Sequence, residues 1–428
     1  MKNKWMNALF FSLPFAVSAS TVYANPVELQ ALSDQELSDV NGQALLSLSY
    51  ISPTDAENKM AGNGVGFYKL GMEADVKLNA NIRSLQLGCG GINGAGNCDI
   101  DIDNLSLSGV SDTRDGRASS SAVLTNPFVE FAIKNPNSSS TREVVGLRLS
   151  AEKVLGLLTM GEENSDKPNG INSLSGYLKI LPTTGVASTT VRSMTYNDTK
   201  MNIDGNIRLL LNTGSGSGYS TNDYDLGLES ARANLSVNGT TITGSRMNSA
   251  NLTGVATIGG LDFSGRIVAR LNSALVNWLP VPISARGQIT GLTADLKISE
   301  NLGFIHKLPV NNPFSLSLQS QSVFWPGATV AANRGWWLAL EDGIDIGQVT
   351  PSNTIDISDD ILKQVVPHIS QYLKNNPSYC PLVSCAITGL NIGNVNLTGS
   401  KPLNFPIQDL KLATQNFAPN CYGNLKFC

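Results

Sequence analysis

Asp99, Asp101 and Asp103 are the residues best spaced for chemistry. On one β-strand their side chains share a face at about 7 Å intervals. Three like charges so placed repel, and a hard cation such as Ca2+ would relieve the repulsion through oxygen ligands. The segment has no calcium-loop motif, so a solvated acidic face is the competing reading. Asp342 and Asp345, beside Gly343, form a weaker pair of the same kind. No other cofactor is indicated. His306 sits among Ile305, Lys307 and Leu308, and His368 follows Pro367. Neither has a recognisable partner, and both read as structural. There is no G-x-S-x-G elbow, no H-E-x-x-H and no phosphate-cradling glycine loop. No catalytic residue is assigned and the chain reads as a non-enzyme. A secreted hydrolase working through paired carboxylates is the third alternative.

Six cysteines fall as three close pairs: Cys89 with Cys98, Cys380 with Cys385, and Cys421 with Cys428. Six cysteines allow fifteen pairings; proximity favours three local disulfides over the rest. Their spacings are unlike those of zinc knuckles, and both histidines are remote in sequence. Trp325, Trp336 and Trp337 form an aromatic cluster. Successive side chains on a strand point to opposite faces, so Trp336 and Trp337 cannot both turn inward. One packs in a core; the other is a candidate surface for a glycan or other ligand.

The elements that must position these residues read as strands. Met72, Ala74, Val76, Leu78, Ala80 and Ile82 alternate with polar residues, which predicts one long strand with a dry and a wet face. Leu85 and Leu87 fall out of phase, which predicts a bend near Ser84. A glycine-rich turn between Cys89 and Cys98 leads into a second alternating run that ends at Leu107. Similar runs recur down the chain, and two stretches open with Asn-Pro-Phe, at 126–128 and 312–314. The fold class is mainly β: an antiparallel sandwich or an elongated twisted sheet with a few short helices. Ala233-Asn234-Leu235 and Ala250-Asn251-Leu252, seventeen residues apart, admit a solenoid-like segment. Residues 25–43 predict a short capped helix, and 358–374 a longer one that Pro367 kinks or divides. The glycine-serine tract at 213–223 predicts a hinge between a first β region at 44–212 and a second at 224–428.

Lys2 and Lys4, the apolar run Ala8–Val17 and Val22-Tyr23-Ala24 have the form of a cleaved export signal over residues 1–24. The formal net charge of −4 becomes −6 once Lys2 and Lys4 leave with it. With no basic tract, nucleic acid is excluded as a partner. No later run is long and apolar enough for a transmembrane helix. Glycine, at 40 residues, shows no three-residue period, which excludes collagen. The expected location is the cell surface or the medium, with the periplasm as alternative.

LSDQELSDVNGQ, over 32–43, and to a lesser extent GFYKLGMEADVKLNANI and NPFVEFAIKNP, resemble segments of a loosely defined group of exported proteobacterial envelope proteins. Some of that group are named from pilus or fimbrial gene clusters. The resemblance implies a bacterial surface protein with a structural or adhesive role and a fibre-assembly partner. It supplies no catalytic residues. The alternative is a periplasmic carrier or scaffold for an apolar ligand, suggested by the Met72–Ile82 face. Non-reducing peptide mapping should recover the three local cysteine pairs; a bridge between the 89/98 and 380/385 regions would overturn that assignment.

Overall fold

The computed structural model describes residues 46–163, 165, 167–209, 217–270, 280–310, 314–380, 390–408, 410–412 and 415–424. The export signal, the helix at 25–43, Cys385 and Cys428 lie outside them. Residues 45–428 form one compact unit. Its largest sheet has twelve strands: β1 (Leu46–Ile51), β2 (Val65–Met72), β3 (Asp75–Leu78), β4 (Ala80–Leu87), β5 (Ile100–Ser108), β6 (Ala122–Lys134), β7 (Glu143–Thr159), β8 (Ile171–Ile180), β9 (Thr240–Met247), β10 (Lys307–Val310), β11 (Phe314–Gln319) and β12 (Gly335–Ile344). The spatial order is β1-β2-β6-β7-β11-β12-β8-β5-β4. β3 lies on β6, β9 on β8 and β10 on β7. β5 also pairs with the far end of β7, Leu107 opposite Leu158, so the sheet curls back on itself.

The predicted long strand at 72–82 is instead divided among three. β2 pairs with β1 and β6, β3 with β6, and β4 with β5. One break falls at Glu73-Ala74 and the other at Asn79, whose side-chain amide donates to the Arg117 and Ser120 carbonyls. The phase change between Ile82 and Leu85 is matched across the ladder between Leu105 and Ile102, where Asn104 adopts φ +49°. Asn126 likewise takes φ +49°, so Asn126-Pro127 is a kink inside β6 and not a turn before it.

A five-stranded and a seven-stranded sheet share bent ribbons. Thr183–Ser188 with Arg192–Thr195, Tyr224–Leu228 with Arg232–Val237, Ser249–Ile258 with Leu261–Arg270, Pro280–Thr290 with Thr293–Asn301, and Leu390–Asn396 with Leu403–Gln408 each cross from one sheet to another through a short corner. The ribbons keep the same order in both sheets. Strict alternation drives this: in Ser249–Ile258, Ala250, Leu252, Gly254, Ala256 and Ile258 are buried and the residues between them exposed. Each buried Leu or Ile contributes roughly 1.5–3 kcal/mol. Arg232–Val237 and Ser249–Ile258 pair antiparallel, with Ala233 opposite Ile258 and Leu235 opposite Ala256, so the two Ala-Asn-Leu segments lie on adjacent antiparallel strands and are not rungs of a solenoid.

Three α-helices are described: α1 (Arg114–Ser119), α2 (Tyr196–Thr199) and α3 (Asp359–Asn375). Ile361, Leu362, Val365, Val366, Ile369 and Leu373 of α3 enter the same core as the ribbons. Pro367 sits on its exposed side and the helix continues through it. The hinge expected at 213–223 does not separate two bodies. Ser217–Thr221 is a strand on Ile203–Leu209, and β9 to β12, from beyond that tract, complete the sheet begun by β1 to β8.

One face of the large sheet is sealed by the 320–334 loop. Trp325 packs against Phe67, Val145 and Ala132 there, with its ring 5.7 Å from that of Phe67. Beneath the loop lies the buried ion pair Glu130–Arg148, and Arg148 also donates to the Pro326 carbonyl at 3.0 Å. Removing one partner of such a pair leaves a buried charge unpaired. Glu130→Ala should therefore cost about 3–5 kcal/mol in urea denaturation, whereas replacing both residues by Met and Leu should cost much less.

Candidate functional site

The three aspartates do not assemble a cation site. Asp99 is buried beneath the disulfide loop, accepting from Asn93 Nδ2 at 3.0 Å and the Trp336 backbone N–H at 3.0 Å. Gln86 donates to Asp101 and Asn172 to Asp103, at 3.3 and 2.8 Å. Each carboxylate is thus engaged with a different neighbour. Among the described residues no group of three His, Cys, Asp or Glu side chains is placed to hold a metal. Cys89 and Cys98 are bridged; Gly90, Gly91, Gly94 and Gly96 take positive φ in the loop they close, and Gly88 does so just before it. Cys421 is disulfide-bonded. Cys380 ends a strand parallel to Ile203–Leu209. Trp325 and Trp337 are core residues, so they form no exposed stacking platform. Trp336 lies on the opposite face from Trp337, as the strand period requires.

That opposite face is the unusual surface. Leu48, Leu70, Val129, Leu149, Leu316 and Leu338 stand directly across from one another through β1, β2, β6, β7, β11 and β12. The neighbouring row is Tyr50, Tyr68, Phe131, Leu147, Leu318 and Trp336. Among the described residues no ribbon covers the outer part: Leu48 is 75% exposed, Leu70 44% and Leu149 45%. A contiguous exposed apolar face on this scale marks an interaction or ligand surface.

Where the sheet curls, the same face closes over a chamber of about 230 Å3. All eighteen lining residues are apolar. Leu78, Ala80, Ile82 and Leu85 come from β3 and β4, and Ile100, Ile102, Leu105 and Leu107 from β5. The coordinated kink at Asn104 lets both phases of β4 and β5 point inward. Leu158, Leu174, Leu178, Leu308, Leu338 and Leu340 form much of the rest. Phe314 and Leu316 stand between the chamber and an open apolar trough of about 440 Å3 that carries Leu70, Met72 and Leu149. The face predicted to be dry thus lines a chamber while remaining part exposed, with Leu78 at 40% and Ile82 at 39%. The alternation of apolar residues was readable; which of them lacks a covering layer was not.

A larger polar cleft, about 1330 Å3, lies beside the C-terminal segment and is lined by Asn81, Arg83, Asp103, Glu162, Glu163 and Phe417 among others. It is an open surface of mixed charge. Arg117, fully buried behind it, donates to Ser108 Oγ at 2.9 Å, Thr159 Oγ1 at 2.9 Å and the Ala418 carbonyl at 2.8 Å. Burial pushes its pKa down to about 10. These bonds fasten the C-terminal segment to β5 and β7, which is a structural role.

His368 is exposed on α3. His306 is buried, with Nδ1 3.1 Å from the Met160 carbonyl. Gln415 Oε1 accepts from the His306 and Lys307 backbone N–H groups. Burial holds the His306 pKa below its usual value, and the Met160 contact opposes this. The unfolded chain therefore takes up the proton first. Stability from this group is present above about pH 6.5 and is lost as pH falls toward the lower folded value. Thermal melts between about pH 7 and about pH 5.5 should show a decline in the wild type that His306→Gln reduces. No protein-family model, curated protein or solved structure matches the chain.

Proposed function

We propose that this protein is a non-enzymatic, exported carrier or scaffold for an apolar ligand. The observation that carries the reading is the all-apolar chamber continuous with an uncovered apolar face. A well-packed interior has few voids larger than a water molecule, and a lining without polar groups offers nothing to a polar ligand. Burying a hydrocarbon against it returns roughly 25 cal/mol per Å2 removed from water. The export signal pattern at 1–24 and the Cys89–Cys98 bridge support an oxidising compartment.

A surface-assembly role is the second reading, and the edge strand β1 favours it. Among the described residues its only strand partner is β2. Its sequence, LSLSYI, has no charge and no proline to discourage strand addition. Cell fractionation with and without neighbouring envelope genes tests this role.

The carrier reading predicts that a fluorescent apolar probe binds the purified protein and is displaced by hydrocarbon amphiphiles. Ala80→Phe places a ring in the chamber and should weaken probe binding about tenfold, a change of about 1.4 kcal/mol. Circular dichroism should stay unchanged. Absence of probe binding to the folded wild type would sink the reading.

A further inference from the structure

The apolar ladder has a charged end. Two residues along β11 and β12 from the Leu316–Leu338 pair stand Leu318 and Trp336, which with Val144 and Leu147 line an open groove of about 650 Å3. Arg246 and Arg334 stand at that groove. Both are held there by specific local structure. Arg246 lies in an irregularity of β9, where the register with β8 shifts between Gly244 and Met247. It takes φ +53°, and its backbone N–H donates to Ser175 Oγ at 2.8 Å. Such bulges re-aim a side chain, and a non-glycine residue in this region carries backbone strain. Asn93 Oδ1 accepts from Arg246 Nη1 at 2.6 Å. Arg334 follows Asn333, whose carbonyl accepts from Gln319 and whose amide donates to Ser245 Oγ at 3.1 Å. Both arginine-bearing segments are therefore tied together.

The charge at this mouth is specific in amount. Asp99 Oδ1 lies 3.5 Å from Arg246 and offsets one positive charge. No described carboxylate pairs with Arg334. Among the groove's lining residues the excess is one positive charge. From Trp336 the apolar side chains continue on one strand face through Leu338 to Leu340, which lines the chamber. Four residues of strand span about 14 Å. The surface is thus a monocationic mouth joined to an apolar track that ends in the apolar chamber.

We infer that the bound molecule is a long-chain fatty acid, its carboxylate held by Arg334 and Arg246 and its chain running along Leu318, Leu316 and Leu338 toward the chamber. This rests on the carrier reading above. A planar carboxylate matches the guanidinium fork and a single excess charge. A phosphate carries more charge than the mouth balances.

Isothermal titration of the folded full-length protein with palmitate, hexadecanol, hexadecyl phosphate and hexadecyltrimethylammonium tests it. Palmitate should bind about tenfold tighter than hexadecanol, and the difference should shrink as salt is raised. Arg334→Gln, at an exposed residue, should remove most of that difference and leave hexadecanol unchanged. Leu318→Glu should abolish binding of both, with circular dichroism confirming the fold. Equal affinity for palmitate and hexadecanol, or an unchanged palmitate affinity in Arg334→Gln, overturns the head-group assignment while leaving the carrier reading standing. Tighter binding of the phosphate or the ammonium compound overturns the carboxylate. If none of the four binds, both the inference and the carrier reading fail.

Discussion

The backbone of β7 must be paired along seventeen residues, and that constraint shapes the large sheet. Its first part pairs with β6 on one side and β11 on the other. Its last residues are taken by β5 and β10. A buried strand cannot leave its N–H and C=O groups unmatched, so the strands that arrive at its far end must curl the sheet back. The apolar chamber follows from this pairing. β5 brings Ile100, Ile102, Leu105 and Leu107 over the space that β11 and β12 floor with Leu316, Leu338 and Leu340.

The two faces of this sheet have different fates. On one, the 320–334 loop supplies Val323, Trp325 and Ala332 to a small core, and the ion pair of Glu130 and Arg148 is buried beneath it. On the other, the apolar rows extend across six strands, and among the described residues no layer lies over their outer part. A sheet face stabilises a fold only when something covers it. Here the covered face supplies packing, and the partly uncovered one is the surface on which a function can be built. The bent ribbons beyond it hold most of the remaining core, together with α3.

The disulfide loop links these features. The Asp99 carboxylate fills the space that a side chain at Gly88 or Gly335 would need, and it accepts from the Trp336 backbone. The bridge of Cys89 with Cys98 thus closes a loop whose buried carboxylate supports the start of β12 and lies beside Arg246. An acidic residue that looked like part of a cation site is instead a positioning group, because its hydrogen-bond partners come from residues 93 and 336.

The sequence by itself determined the strand period, the local bridge at Cys89–Cys98, a helix over 358–374, found at Asp359–Asn375, and the opposition of Trp336 to Trp337. All depend on neighbours in the chain: alternation, glycine freedom, the helical apolar stripe and the two-residue repeat. Only the tertiary structure decided that 72–82 is divided among three strands, that Asp99, Asp101 and Asp103 serve separate partners, and that 213–223 separates no bodies. Those outcomes depend on which strands meet, and strand pairing is set by contacts between distant residues such as Leu107 with Leu158. The apolar site lies between these cases. Its leucines were visible as ordinary alternating residues, but local pattern cannot show whether an apolar face will be buried by another layer or left open.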